Sequence, residues 1–516
     1  MTVRKHELHR WLFPALCVLC VITAACAGRT PEPSPVTVEP TVPTVVRTPE
    51  PPTPTPPPSL PYPGTYSGTP TPNPASSDLP NGEGVESYVV QRGETLSLIA
   101  AVFGCGVDEI VAANGLPDAN AIRAGQTLYV PVSATETGPY LKLIPDSELV
   151  YGPAYIHFDP LAFAAKYGGY LAGYTETVEG RVRTGPEIVQ IVAQRFSVGP
   201  RVLLALLELR SGWVTQLEPT GGTPDAPLGG VGQAGLFEQL SWAAVKLNEG
   251  YYGWKQGNHV TVRLRSGVRA AIAPGLNPGT AGMQKCLGEL SMDWEEWLAL
   301  TGPDGFAATY AGLFGNPFAY TVDPLVPPDL VQPELRLPWE SGKTWYYTGG
   351  PHGGWGNGSG RAALDFVPSD KIPDCTVSAD WVTAAAPGLV LRSDYGEVIV
   401  DLDGDGYEQS GWVLLYMHVN ANGRVQTGTT LQRGQPIGHP SCEGGFSDAS
   451  HLHIARRYNG EWIPAGSGPL PMVLSGWVAH EDVMPYEGTL TRGDEVRTAC
   501  ECWNDELNGL VSDNVP

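Results

Sequence analysis

From about Ala27 to Gly84 the chain is dominated by Pro and Thr, as in TPEPPTPTPPPSLPYPG, with scarcely any apolar periodicity. A segment of that composition cannot bury a core, because it lacks the apolar surface needed to offset the entropy of ordering the chain. It extends instead at about 3.1 Å per residue, a reach on the order of 150 Å. The tract serves either as a tether that carries a folded body away from its anchor or as a passive spacer. Folding is confined to the residues beyond Gly84, and for a chain of 516 residues domain sizes predict about three or four folded units plus linkers.

Residues 1–25 read as an export leader. Arg4, Lys5 and Arg10 form a positive start, and the apolar run from Trp11 to Ile22 is too short for a comfortable membrane span. Thr23, Ala24 and Ala25 ahead of Cys26 resemble a bacterial lipobox, although Thr23 stands where a branched or leucyl aliphatic is usual. That resemblance implies a lipid on Cys26, and ordinary cleavage after Ala25-Cys26-Ala27 is the alternative. Residues 26–85 then form the linker of an exported protein, lipid-anchored at the cell surface or periplasmic face, or else secreted. The formal net charge of −23, with no basic patch or stripe, argues against a nucleic-acid partner. Export permits disulfides. Beyond the leader and Cys26 stand Cys105, Cys286, Cys375, Cys442, Cys500 and Cys502.

Residues 87–132 read as strand, helix, helix, strand. Tyr88-Val89-Val90 is strand-like, Glu94 and Thr95 open a helix with Leu98, Ile99 and Val102 on one side, and Val107–Ala113 forms a second helix capped by Asn114-Gly115. The segment resembles the LysM module, in Gly93-Glu94-Thr95-Leu96, Asn114 and the closing Gly125-Gln126-Thr127-Leu128-Tyr129-Val130-Pro131. The resemblance implies binding to the N-acetylglucosamine backbone of peptidoglycan or chitin, with Gly93, Glu94, Thr95, Leu96, Asn114, Gly115, Leu116 and Ile122 at the sugar groove. Several of these serve equally well as caps and core.

Residues 138–337 turn helical. Thr184-Gly185-Pro186-Glu187 has the spacing of a capping box, followed by Ile188, Ile191, Val192 and Phe196 on one face. Pro200 opens the next helix, which Ser211-Gly212 stops. VGPRVLLALLELRSGWV resembles the first catalytic helix of lysozyme-like lytic transglycosylases, in which a glutamate precedes the Ser-Gly pair. Here Arg210 holds that position, and an arginine cannot protonate a glycosidic oxygen. Glu208 lies two residues away on another face. The region is either a degenerate lysozyme-like domain or an unrelated helical spacer.

Residues 338–490 break into short apolar runs separated by Gly, Asp and Pro, the pattern of a mainly antiparallel sheet, and 491–516 form a tail. In this region His451-Leu452-His453 is the strongest signal, because residues i and i+2 of a strand point to one face and can share a metal. His352, Asp365 and His418 supply further groups of the right kind. A catalytic zinc takes three protein ligands and leaves a fourth position open, and the remaining imidazoles can move protons. Cys375 and Cys442 flank this set and are the expected disulfide; the other four cysteines cannot be paired. Asp401, Asp403 and Asp405 alternate as in a calcium loop, but Trp412 stands where the twelfth-position glutamate belongs, and a polar hairpin explains them as well. His157, His259 and His480 receive no role, and His439 is expected to be a structural neighbour of the site.

GGPHGGWGNGSGRAALDF, Tyr416-Met417-His418 and CEGGFSDASHLHIARRYNGEWIP resemble the lysostaphin and LytM class of zinc endopeptidases, family M23, and its beta-lytic branch in particular. Most of that family places its first two ligands as HxxxD, and four residues before Asp365 this chain has Arg361. The beta-lytic branch places the histidine 13 residues ahead of the aspartate, the spacing of His352 and Asp365. The resemblance implies that His352, Asp365 and His453 hold zinc and that His418 and His451 are the catalytic pair.

The expected protein is multidomain: a small βααβ LysM module, a mainly α-helical middle domain and a C-terminal β zinc-peptidase domain. It is read as a monomeric zinc endopeptidase of bacterial peptidoglycan, acting on stem or bridge peptides. Two rivals are a non-catalytic wall-binding regulator of other hydrolases, which the complete five-residue set disfavours, and a glycan-cleaving enzyme centred on the helical region, which Arg210 disfavours.

Overall fold

The computed structural model describes residues 83–512 apart from 91–93, 124, 125, 135, 220–223 and 258–260. The leader, Cys26, nearly all of the linker, Gly93 and His259 lie outside the described residues.

The strand Glu83–Val89 pairs antiparallel along its length with Thr127–Ser133. The first strand starts within the expected linker of residues 26–85. Between the strands, helix Leu96–Phe103 is capped by the Thr95 hydroxyl, which accepts from the Leu98 N–H at 3.3 Å, and ends at Gly104 with φ 71°. Its buried side is Leu96, Ile99, Ala100 and Phe103, while Leu98 and Val102 are half exposed. The expected stripe through Leu98 and Val102 is thereby corrected: positions i, i+3, i+4 and i+7 from Leu96 make the inward face. The second helix is Val107–Ala113, as expected, and Asn114 caps it.

The middle region is built around helices Gly185–Phe196, Pro200–Ser211, Leu236–Gln256 and Pro278–Leu290. The Glu187 carboxylate accepts from the N–H and the hydroxyl of Thr184 at 2.7 and 2.9 Å, the box spacing made real. Val189 and Ala193 complete the buried face that Ile188, Val192 and Phe196 begin, whereas Ile191 is only half buried.

The C-terminal region centres on an antiparallel sheet. In spatial order its strands are Thr430–Leu431, Gly388–Asp394, Glu397–Asp401, Trp412–Met417, Leu452–Tyr458, Ala363–Val367, Thr344–His352 and Gly509–Val511, with Glu461–Trp462 also paired to Leu452–Tyr458. Side chains alternate along each strand. Val398, Val400, Leu414, Tyr416, Leu364, Phe366, Leu452 and Ile454 fill one core. Ile399, Val413, Leu415, Met417, Ala363 and Ala455 face the other way and join the core of the helices. The helical region is therefore no detached spacer: it forms a layer on one face of the sheet. Polar contacts seal the junction. Ser197 donates to the Gly460 carbonyl, Arg457 to the Gln194 carbonyl at 3.1 Å, and the Trp462 N–H to the Tyr252 hydroxyl at 2.9 Å.

The expected tail is also corrected. Strand Glu495–Thr498 extends a small second sheet, and Gly509–Val511 covers the edge of Thr344–His352, with Leu510 fully buried. An edge strand left bare would expose its backbone donors and acceptors.

Candidate metal centre

Alternation puts Asp365, between Leu364 and Phe366, on the sheet face that carries the helices, and it does the same for His453, between Leu452 and Ile454. Register then brings them together. His453 lies opposite Asp365 on the neighbouring strand, and Met417, the residue before His418, lies opposite His453. His352 closes its strand next to Ala363. Gly349 faces Asp365, and a Cβ there would stand 2.6 Å from the Asp365 carboxylate, so only glycine leaves room for that side chain. The loop from His352 to Asp365 turns through Gly356 and Gly358 at φ 64° and 85°, conformations glycine adopts without steric penalty.

The result is a compact donor set. His352 Nε2 lies 3.3 Å from Asp365 Oδ1, His453 Nδ1 lies 3.1 Å from it, and the two imidazole nitrogens are 2.9 Å apart. Asp365 Oδ1 is buried and accepts no hydrogen bond. A buried carboxylate oxygen without a donor is costly unless a cation meets it. Each imidazole is oriented from behind: His352 Nδ1 contacts the Gly350 carbonyl at 2.8 Å, and His453 Nε2 the Gly354 carbonyl at 3.1 Å. Such contacts fix the tautomer and turn the other nitrogen inward. Three donors within 4.8 Å of one another, two imidazoles and a carboxylate, fit a zinc ion.

His418 and His451 complete the group. Their ring centres are 4.5 Å apart, and His451 Nε2 is 3.7 Å from Asp365 Oδ1. His451 Nδ1 is held by the Ala449 carbonyl at 2.9 Å and His418 Nδ1 by the Glu443 carbonyl at 3.2 Å, which leaves Nε2 of each for proton exchange. His418 has a left-handed φ of 64°, and its carbonyl accepts from the N–H and hydroxyl of Ser441 at 2.7 and 3.0 Å. Next to Ser441, Cys442 is bonded to Cys375. Cys500 and Cys502 are also bonded, while Cys105 and Cys286 are free thiols.

Burial works against ionisation of Asp365, but the imidazoles of His352 and His451 outweigh it and hold the carboxyl well below the usual range. Burial pushes His418 down to about 3, reinforced by His451 and His453, and it lowers His453 as well. Neutral imidazoles are the forms that can bind a metal or accept a proton.

The remaining expected positions divide. Arg361 points away from the centre, donating to the carbonyls of Asp482 and Val483 at 2.8 Å each and to the hydroxyl of Tyr129. In the LysM segment, Thr95 and Gly115 are exposed and Glu94, Leu116 and Ile122 half buried, as a shallow groove allows. Leu96 and Asn114 take the core and cap roles that the sequence left open for them. Leu96 is 1 % exposed, and the Asn114 amide bridges the Ile110 carbonyl and both backbone groups of Tyr129 at 2.7 Å each. Asp401 accepts from the N–H groups of Asp403, Gly404 and Gly406, contacts that fit the polar-hairpin reading of the acidic motif. His439 packs on Trp381 at 3.9 Å and binds the Asp380 carbonyl. In the helices, Arg210 pairs with Glu296 at 3.0 Å, and Glu208 accepts from Val214, Thr215 and the Thr215 hydroxyl, so neither is placed as a glycosidic acid. Sequence reasoning missed Gly350, Gly354, Glu443 and Ala449, whose carbonyls orient the imidazoles, because a backbone group leaves no mark in residue type. It also missed Tyr486, whose ring stacks on His352 with centroids 4.1 Å apart.

Family comparison matches residues 88–131 to the LysM domain and residues 375–464 to peptidase family M23. The chain carries a LysM domain and an M23 peptidase domain. The M23 match holds His418, His451 and His453, while His352 and Asp365 precede it. Residues 142–327 match the LasA N-terminal domain. Among curated proteins, N-acetylmuramoyl-L-alanine amidase XlyA of Bacillus subtilis (strain 168) is 40% identical over 65 residues, 13% of this chain and 22% of that protein. The chain thus spans about a fifth of the length of the curated relative it matches. Solved structures similar to the chain include the M23 metalloprotease pseudoalterin from the deep sea (22% identity, TM-score 0.27, covering 36% of this chain and 99% of that one). Another is the catalytic domain of lysostaphin from Staphylococcus simulans (22% identity, TM-score 0.16, covering 23% and 84%).

Proposed function

We propose that the protein is a zinc-dependent endopeptidase that cleaves stem or bridge peptides of bacterial peptidoglycan, with the LysM module holding it on the glycan. One observation carries the reading: the buried, donorless Asp365 Oδ1 between His352 Nε2 and His453 Nδ1. His352, Asp365 and His453 would hold the ion. When bound, zinc supplies Lewis acidity, which activates water and polarises a carbonyl. His451 and His418, each with Nδ1 anchored on a carbonyl, would take the proton from the attacking water and deliver it to the departing amine. The presence of LysM and M23 domains on one chain supports a wall-targeted peptidase and an exported location. Residues 1–25 as leader, the lipid on Cys26 and the monomeric state belong to the same proposal and rest on the sequence.

The test has two parts. Metal analysis of the purified protein should find one zinc per chain. Mass spectrometry of digested peptidoglycan should then find new peptide ends. New reducing or anhydro-sugar ends without new peptide ends would sink the reading, as would a folded protein that takes up no zinc.

A further inference from the structure

The segment from Glu481 to Gly488 touches the metal centre on one side and the LysM module on the other. At its centre, Met484 is 7 % exposed and packs into the LysM core with Leu96, Ile99, Leu128 and Val130. Just before it, the carbonyls of Asp482 and Val483 accept from Arg361, whose guanidinium also reaches the Tyr129 hydroxyl of the LysM module and lies 5.5 Å over that ring. Just after it, Tyr486 stacks on His352, the rings 19° from parallel. The Tyr486 carbonyl accepts from the Gly350 N–H at 2.7 Å, and the Gly350 carbonyl contacts His352 Nδ1 at 2.8 Å. The fit is close: a Cβ on Gly350 would stand 2.3 Å from the Glu487 carbonyl oxygen. Tyr486 adopts this pose at φ 70°, a conformation uncommon for a residue with a side chain, so its surroundings impose it.

We propose that Tyr486 is a positioning residue for the metal centre, and that it is held in place by the docked LysM module through Met484 and Arg361. The inference rests on the reading of His352 as a zinc ligand. An imidazole ligand that can tilt loses affinity, and the groups behind it decide whether it tilts. Here the face of the ring is covered by Tyr486, and its outer nitrogen is fixed by a carbonyl that Tyr486 itself anchors. The LysM module thereby has a second task besides holding glycan: it supports the centre it delivers. Arg361, at the place where HxxxD relatives carry their first ligand, ties the Glu481–Gly488 segment to the LysM module.

The experiment uses the full chain with zinc alone as probe, its dissociation constant read by competition with a chromogenic chelator. Tyr486→Ala is expected to weaken zinc about tenfold or more, the usual effect of losing a partner behind a ligand, while Tyr486→Phe, which keeps the ring, stays within about twofold. Because Tyr486 is 55 % exposed, its truncation removes little core, and thermal unfolding should show the fold retained. Met484→Asp, which puts a carboxylate in the LysM core, should weaken zinc about threefold or more through the Glu481–Gly488 segment alone. Native zinc affinity in Tyr486→Ala would overturn the positioning role. Native affinity in Met484→Asp, with limited proteolysis showing the LysM module released, would overturn the link to LysM. A native chain that bound no zinc would instead bring down the reading of the metal centre, and this inference with it.

Discussion

Replacing His352 and replacing Arg361 should have opposite consequences, although both lie ahead of Asp365 and the common family spacing points to Arg361. His352→Ala removes one of three donors and leaves Asp365 Oδ1, already without a hydrogen-bond partner, facing a cavity. Loss of a mere supporting group behind a ligand costs about 10–100-fold in affinity, so loss of the ligand itself should exceed about 100-fold, or about 2.8 kcal/mol at 1.4 kcal/mol per decade. Arg361→Ala removes donations to the carbonyls of Asp482 and Val483 and to the Tyr129 hydroxyl, contacts outside the donor set. An arginine offers no lone pair to a cation. That variant should lose about 2 kcal/mol of local stability and loosen the LysM module, yet still bind one zinc per chain and hydrolyse substrate measurably. Metal analysis of the dialysed variants, followed by chelator competition, separates the two. Full zinc and activity in His352→Ala, or a metal-free Arg361→Ala of native fold, would refute the reasoning.

His451→Ala should abolish hydrolysis while most of the zinc stays bound, in contrast to His453→Ala, which should lose both; equal zinc loss in the two variants would reverse the roles within the pair. A chain lacking residues 87–132 should pellet with insoluble peptidoglycan less than the full chain does, and equal pelleting would place wall binding elsewhere. Burial opposes the ionisation of Asp380, but Lys343 and Ser369 offset it and keep its carboxyl below the ordinary value. A carboxyl depressed by folding stabilises above its ordinary value of about 3.9 and loses that contribution as pH falls through the lower folded value. Asp380→Asn should therefore lower stability at neutral pH by about 1–3 kcal/mol and flatten the acid limb of the melting curve; an acid limb as steep as the native one would show that Asp380 is not its source.

Sequence by itself determined what is local in the chain or carried by residue type. The His451-Leu452-His453 alternation puts two imidazoles on one face, the Thr184 box and the Gly212 stop bound their helices, and the five candidate site residues were legible because they occur together in motifs that resemble family M23, each being a weak signal alone. Asn114 was legible as a cap, but its bridge to Tyr129 was not. Only the tertiary structure decided which sheet face carries the site, because alternation separates two faces without saying what covers either. It placed the helical layer on the same face as Asp365 and His453, drew residues 509–511 into the sheet edge, and turned Arg361 to the LysM module and Tyr486 to His352. Those pairings join residues more than a hundred positions apart, and no periodicity of 2 or 3.6 residues records them. They are fixed by the fit of one layer against another.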